Sequence, residues 1–263
     1  MVRAEAITSV ANPLLKEIRR AIARGTLTRE GYCVAETFHL LEEALRSDCA
    51  IDAVLAAESV QPTVEAHVKR LRGMRLIVLG DALFQEVSGT EAAQGVMALV
   101  RPPAWDLNQL FRGHSLLVVL DGIQDPGNAG AIVRAAEAFG ATGMMFLKGT
   151  VSPYNSKALR ASAGSIFRVP LAANLDGVLA RAAIEQHRLD LYAAAPAGGK
   201  ELGAADLTRK CAFIIGSEAR GVSDKLRAAA IDLRIPVSGV ESLNAAMAAG
   251  ILLYEARRQR TAG

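Results

Sequence analysis

Leu116-Leu-Val-Val-Leu-Asp121-Gly-Ile-Gln-Asp125-Pro126-Gly127-Asn128-Ala129-Gly130-Ala-Ile-Val-Arg134-Ala-Ala-Glu-Ala-Phe139-Gly140-Ala-Thr-Gly143-Met-Met-Phe-Leu147 reads as strand, polar loop, helix, strand. The unbroken apolar runs Leu116–Leu120 and Gly143–Leu147 have the length of strands buried on both faces, as in a parallel sheet. Ala129–Phe139 has helical composition and stops at Gly140. Downstream the alternation continues, with strands expected near Leu189–Ala195, Cys211–Ile215 and Asp232–Ile235 and a closing helix over Asn244–Arg260. Repeated β-α-β units predict an α/β fold with a parallel sheet and helices on both of its faces.

Upstream, Arg101-Pro-Pro-Ala-Trp-Asp-Leu-Asn marks a boundary, because a Pro-Pro pair before a polar turn favours extended chain. The expected division is a smaller α/β domain over 1–103, a linker over 104–113 and the main domain over 114–263. The two parts differ in character. Residues up to Arg112 carry 13 basic and 14 acidic side chains and 6 glycines, and the remainder 17, 13 and 17. In the first part, Asn12-Pro13 opens a helix with Leu14, Leu15, Ile18 and Ile22 on one face and Lys16, Arg19, Arg20 and Arg24 on the other. That basic side suits either a solvated face or a phosphate-facing strip. Strands are expected at Gly31–Ala35, Asp52–Ala56, Arg75–Leu79 and Gln94–Val100, and helices at Glu36–Leu45 and Thr63–Leu71.

A chain of 263 residues with 51 % hydrophobic residues builds an ordinary core and is not a disordered tail. Three cysteines, Cys33, Cys49 and Cys211, make neither a disulfide framework nor a zinc knuckle, and suit buried positions in a reducing compartment. No metal-ligand cluster is present in the sequence. No run of about 18 apolar residues suggests a membrane span, and Glu5, Asn12, Lys16 and Glu17 interrupt any signal-peptide core. A cytoplasmic location is expected. The net charge of +3 is small, but its distribution is uneven. Residues 1–30 hold six cations against three acids, and Lys148–Arg168 holds Lys148, Lys157, Arg160 and Arg168 against none. With Tyr154, Asn155 and Ser162, the latter stretch is a phosphate-binding candidate.

In parallel sheets, chemistry collects at the carboxyl ends of the strands, where three loops are rich in polar specificity. The first, Asp121 to Gly130, turns at Pro126-Gly127, offers Asn128 as a helix cap and leads to Arg134. The second, Gly216-Ser217-Glu218-Ala219-Arg220-Gly221-Val222-Ser223, flanks a glutamate with glycines, so that backbone can approach a ligand. Glu218 there suits hydrogen bonds from Arg134 or from backbone groups, and Ser223 suits a helix cap. The third is Ile235-Pro236-Val237-Ser238-Gly239-Val240-Glu241-Ser242-Leu243-Asn244, with Ser242 or Asn244 as a cap for the small-residue helix that follows. The G-x-G-x-x-G fingerprint of dinucleotide-binding folds is absent after the first strand, which argues against a nicotinamide-dependent oxidoreductase.

Together and in this order, Asp125-Pro-Gly-Asn128-Ala-Gly-x-x-x-Arg134, Ile215-Gly216-Ser-Glu218-x-x-Gly221 and Ile235-Pro236 with Ser242-Leu243-Asn244 resemble the three motifs of the SpoU (TrmH-type) RNA ribose methyltransferases of the SPOUT superfamily. Ser152-Pro-Tyr-Asn-Ser-Lys157-Ala-Leu-Arg160-Ala-Ser162-Ala-Gly164 and the ending Tyr254-Glu255-x-x-Arg-Gln-Arg fit as well. The first part resembles the substrate-binding domain often attached to these enzymes, through Asn12-Pro-Leu-Leu-Lys16, Glu36 and Gln94-Gly95-Val96. It departs in having Glu36-Thr37 where Glu-Gly is usual. Ala219 and Val237 also replace a frequent glycine and methionine, and the third loop is short.

The resemblance implies a deep trefoil knot, S-adenosylmethionine as cofactor, held near Ala194, Gly216, Ile235 and Leu243, and a homodimer. It implies transfer of a methyl group to a ribose 2′-hydroxyl in structured RNA, with Arg134, Asn128, Glu218, Ser242 and Asn244 as the catalytic set and no metal. Lys16, Lys157 and Arg160 are the expected RNA contacts. Large-subunit rRNA is favoured as substrate; a tRNA 2′-O-methyltransferase, a base methyltransferase and a catalytically silent RNA-binding protein of the same fold are the alternatives. With aromatic residues at only 5 %, RNA recognition is expected to rest on phosphates and shape rather than on stacking.

Overall fold

A computed structural model describes residues 4–69, 73–88 and 93–261. These form two compact units, one made of residues 1–103 and 154–167 and the other of residues 104–153 and 168–263.

The first unit begins β1 (Ala4–Ala6), α1 (Pro13–Arg24), β2 (Cys33–Ala35), α2 (Phe38–Arg46) and β3 (Ala50–Ala57). It continues through α3 (Gln61–Val68), β4 (Arg75–Leu79), α4 (Asp81–Val87) and β5 (Val96–Arg101). Its five strands lie in the order β1-β4-β3-β5-β2, with β5 antiparallel to both neighbours. In α1, the Asn12 side chain accepts from the Leu14 N–H at 2.9 Å, and Leu15, Ile18 and Ala21 are buried as the apolar spacing predicts. Thr37 caps α2, so the helix starts at Phe38 rather than Glu36, and Glu36 is left as a buried carboxylate. The end of the helix expected over Thr63–Leu71 lies outside the described residues.

In the second unit, Leu107–Phe111 forms a short 3-10 segment with a reciprocal cap between Asp106 and Gln109. Leu110 and Phe111 are buried in this unit's core, so the segment expected to be a linker folds as part of the unit. It is followed by β6 (Leu116–Asp121), α5 (Pro126–Ala138), β7 (Gly143–Leu147), α6 (Ser156–Ser162), β8 (Leu171–Leu175), α7 (Gly177–Gln186) and β9 (Asp190–Ala195). The chain then runs through β10 (Lys200–Glu201), β11 (Cys211–Gly216), α8 (Asp224–Arg227), β12 (Ile231–Arg234) and α9 (Ala245–Thr261). Of these, α6 belongs to the first unit, where it packs on β2.

The seven-stranded sheet has the order β10-β12-β9-β11-β6-β7-β8, and every pairing is parallel. The apolar runs of β6, β7 and β11 are buried along almost their whole length. A side chain at Gly143 would place its Cβ 2.5 Å from Leu110, so glycine lets the 3-10 segment lie against β7. Because β12, β9, β11 and β6 are adjacent and parallel, their carboxyl ends share one edge, and the loops that follow them converge there.

Candidate active site

Three loops meet at that edge. Asp125, not Asn128, caps α5: its Oδ1 accepts from the Asn128 N–H at 2.7 Å. This places Asn128 at the third helical position and leaves its side chain available. Asn128 Nδ2 donates to Glu218 Oε1 at 2.6 Å, and Asn244 Nδ2 donates to Asn128 Oδ1 at 3.0 Å. Asn244 Oδ1 meanwhile accepts from the backbone N–H groups of Ala246 and Met247 at 2.9 and 3.3 Å, capping α9.

The direction of this chain follows from its ends. A backbone N–H can only donate, so it fixes the Asn244 oxygen; an ionised carboxylate can only accept, so it fixes the Asn128 amide. The relay Asn244 to Asn128 to Glu218 therefore has one polarity. It links the loops after β12, β6 and β11. Glu218 takes its bond from Asn128 rather than from Arg134, a pairing that loop-by-loop reading misses.

The second loop closes on itself. Ser217 and Gly221 form an isolated bridge, and the Gly221 N–H donates to the Ser217 carbonyl at 2.8 Å. A Cβ on Gly216 would lie 2.2 Å from the Gly221 carbonyl carbon, so only glycine fits there. The loop's far end is held by Asp121, whose Oδ2 accepts from the Ser223 N–H at 2.7 Å. Ser223 stands at the N-terminus of α8 without a side-chain cap bond. Sequence alone presents Asp121 only as the start of a loop; its position at the strand end, opposite Gly216, is what makes it an anchor.

Beside the relay lies a cavity of about 390 Å³. Ala194, Gly216, Ile235 and Leu243 all line it, as do Glu218 and Ser242. Its volume falls within the range of roughly 300–1,000 Å³ usual for small-ligand sites. Small and apolar residues form much of the wall, and four charged side chains, Glu218, Arg220, Arg227 and Glu241, stand at its margin. Arg134 is exposed on α5, and its side chain has no hydrogen bond or ion pair among the described residues.

The basic segment 148–168 is less bare than it reads. Lys148 approaches Asp176 at 3.4 Å, Arg168 pairs with Glu137 at 2.5 Å, and Arg160 pairs with Glu36 at 3.1 Å. The Glu36 side chain is 1 % exposed, so Arg160 neutralises a carboxylate inside the first unit. Lys157 is exposed on α6 and Lys16 on α1. On α1, Arg20 is engaged with Glu17 at 2.7 Å and Arg19 with Glu86 at 3.2 Å. At the end of α9, Arg260 donates to the carbonyls of Leu207 and His114 at 2.9 and 3.0 Å, and so anchors the helix terminus. Among the described residues no helix is long and apolar enough to cross a membrane.

Residues 115–254 match the SpoU rRNA Methylase family, and residues 12–98 match the MRM3-like substrate binding domain. The chain is 33 % identical over 267 residues to an uncharacterized tRNA/rRNA methyltransferase of Synechocystis sp., covering 97 % of this chain and 94 % of that one. It is 29 % identical over 254 residues to the 23S rRNA (guanosine(2553)-2′-O)-methyltransferase RlmP of Bacillus subtilis, covering 95 % and 98 %. The crystal structure of the SpoU methyltransferase AviRb from Streptomyces viridochromogenes, in complex with the cofactor AdoMet, superposes with a TM-score of 0.86 at 28 % identity, covering 96 % of this chain and 99 % of that one. A parallel α/β domain with its loops gathered round one cavity is thus the catalytic architecture of a methyltransferase. The chain belongs to the SpoU rRNA methylase family.

Proposed function

We propose that the protein methylates a ribose 2′-hydroxyl of large-subunit rRNA, using S-adenosylmethionine. The observation that carries this reading is the relay Asn244–Asn128–Glu218 closed beside a cavity of about 390 Å³. The residues present fit that cofactor. Ala194, Ile235 and Leu243 offer apolar walls for a flat base, Gly216 lets the backbone come close, and charged groups stand at the margin. S-adenosylmethionine supplies a methyl group already activated on a sulfonium, so the protein's task is to align the acceptor oxygen and favour its alkoxide.

Arg134 is the residue for that second task. A guanidinium keeps its proton at any working pH, so it acts as a fixed cation rather than as a base. Standing exposed without an internal partner among the described residues, it is available to a developing alkoxide and to the neighbouring phosphate. Asn128, Glu218 and Asn244 orient the ribose, with Ser242 on the cavity wall beside them. Lys16 and Lys157 on the first unit contact the RNA backbone, while Arg160 holds Glu36 and contributes positive potential from its exposed third. Met247 and Tyr254, 57 % and 55 % exposed on α9, fit an apolar interface, and we take the working form to be a cytoplasmic homodimer.

The test is methyl transfer from labelled S-adenosylmethionine to 23S rRNA and to tRNA by the purified protein. The expected result is a 2′-O-methylated nucleoside in rRNA, with Arg134→Ala losing about 10²–10³-fold in turnover at saturating RNA, as removal of an oxyanion-stabilising group does, and a smaller loss in RNA affinity from the missing phosphate contact. Labelled tRNA alone, or a methylated base, would replace this reading by one of its alternatives.

A further inference from the structure

Four charged residues border the cavity, and their partners differ. Glu218 is engaged by Asn128, and Arg227 is held by Asp232 at 2.6 Å. Arg220 and Glu241 have neither a hydrogen bond to the side chain nor an ion pair among the described residues. They come from different loops: Arg220 from the one after β11, Glu241 from the one after β12. The cavity margin therefore presents one unpaired cation and one unpaired anion, each on its own loop.

A ligand with an apolar base at one end and an amino-acid zwitterion at the other answers that arrangement. We propose that Arg220 and Glu241 form the subsite for the amino-acid end of the cofactor, Arg220 receiving the α-carboxylate and Glu241 the α-ammonium. The inference rests on the S-adenosylmethionine reading of the cavity and assigns within it the two groups that grip the methionine moiety. A guanidinium matches a carboxylate in a planar two-bond geometry. A carboxylate accepts from an ammonium, and hydrogen bonds to charged groups are stronger than neutral ones. Neither residue acts on the methyl transfer itself, so both bind donor and demethylated product alike.

Calorimetric titration with three ligands tests this without turnover. The ligands are S-adenosylmethionine, S-adenosylhomocysteine and 5′-methylthioadenosine, the last of which lacks the amino-acid end. Arg220→Gln and Glu241→Gln are each expected to weaken the first two ligands about tenfold or more and to leave 5′-methylthioadenosine unchanged. Equal losses for all three ligands would mean general damage to the cavity and would overturn the assignment. Unchanged binding of all three, with lowered RNA affinity in Arg220→Gln, would assign Arg220 to phosphate instead. Failure of the wild-type protein to bind any of the three would instead refute the cofactor reading beneath it. Thermal unfolding of both variants, expected to match the wild type because both residues are exposed, separates binding loss from folding loss.

Discussion

Replacing Asn128 by aspartate changes one NH2 group into an oxygen and keeps the shape. In the folded protein that group donates to Glu218 at 2.6 Å, so the substitution sets two carboxylates against each other at hydrogen-bond distance. A hydrogen bond to a charged group worth about 1.5–3 kcal/mol is lost. Two unit charges about 3 Å apart repel by ~1.4 kcal/mol in water and ~5.5 kcal/mol at an effective dielectric constant of about 20. The residues are half-buried to exposed, so the lower figure is nearer. A carboxylate in the first turn of α5 regains about 0.3–1 kcal/mol from the helix dipole. The net local cost is about 3 kcal/mol, which corresponds to about 100-fold in turnover if the relay holds the ribose. Since a carboxylate beside another carboxylate holds a proton more readily, activity relative to wild type should recover as pH falls. The decisive variant adds Glu218→Gln. The glutamine amide then donates to the carboxylate introduced at position 128, and Asn244 still donates to that carboxylate. Every bond of the relay is restored, with its direction reversed at one link. Methyl-transfer rates on 23S rRNA should fall in N128D and recover at least tenfold at neutral pH in N128D/E218Q. Wild-type turnover in N128D, or no recovery in the double variant, would refute the relay.

Three further outcomes follow from the packing and charges. Arg160→Met should destabilise the first unit by about 2–4 kcal/mol in urea unfolding, because it takes the cation away from the buried Glu36 carboxylate, which keeps the Ser88 hydroxyl as a donor at 3.3 Å but loses its counter-charge; Glu36→Gln with Arg160→Met should recover part of that loss. The Arg20 guanidinium holds the Glu17 carboxyl down at about 2, against 4.5 in its ordinary state. A folded-state value below the unfolded one stabilises fully above about pH 4.5 and is lost as pH falls through about 2, so Arg20→Gln should flatten the acid limb of a stability–pH curve over that window. Burial pushes the thiols of Cys33 and Cys211 up to about 12 and about 11, so a disulfide reagent at pH 8 should titrate Cys49 alone in the native protein and all three thiols in denaturant.

What is legible in the sequence is what local pattern encodes. The runs Leu116–Leu120, Gly143–Leu147 and Cys211–Ile215 announce buried parallel strands because burial on both faces demands unbroken apolar residues. The edge strand β8, Leu-Ala-Ala-Asn-Leu, has no such signal, since part of it faces solvent; β10 and the short α4 escape pattern reading as well. The site divides in the same way. Asn128, Glu218 and Asn244 are identifiable as residues, but the relay joins positions 90 and 116 apart in sequence, and no periodicity reports such a contact. Asn128 also has the look of a cap for α5; the nearby Asp125 takes that role and releases it. For charge, local counting misleads in one respect. The acid-free stretch 148–168 finds its acids in Glu36, Glu137 and Asp176, which only folding brings near.

The proposed reaction places a methyl group on a ribose oxygen of rRNA. Mapping 2′-O-methylated positions across total RNA, in cells with the gene, without it, and complemented by wild type or Arg134→Ala, tests it most directly. One large-subunit ribose methylation is expected to disappear with the gene and to return with the wild-type protein but not with Arg134→Ala. Identical ribose-methylation maps in all four strains would contradict it.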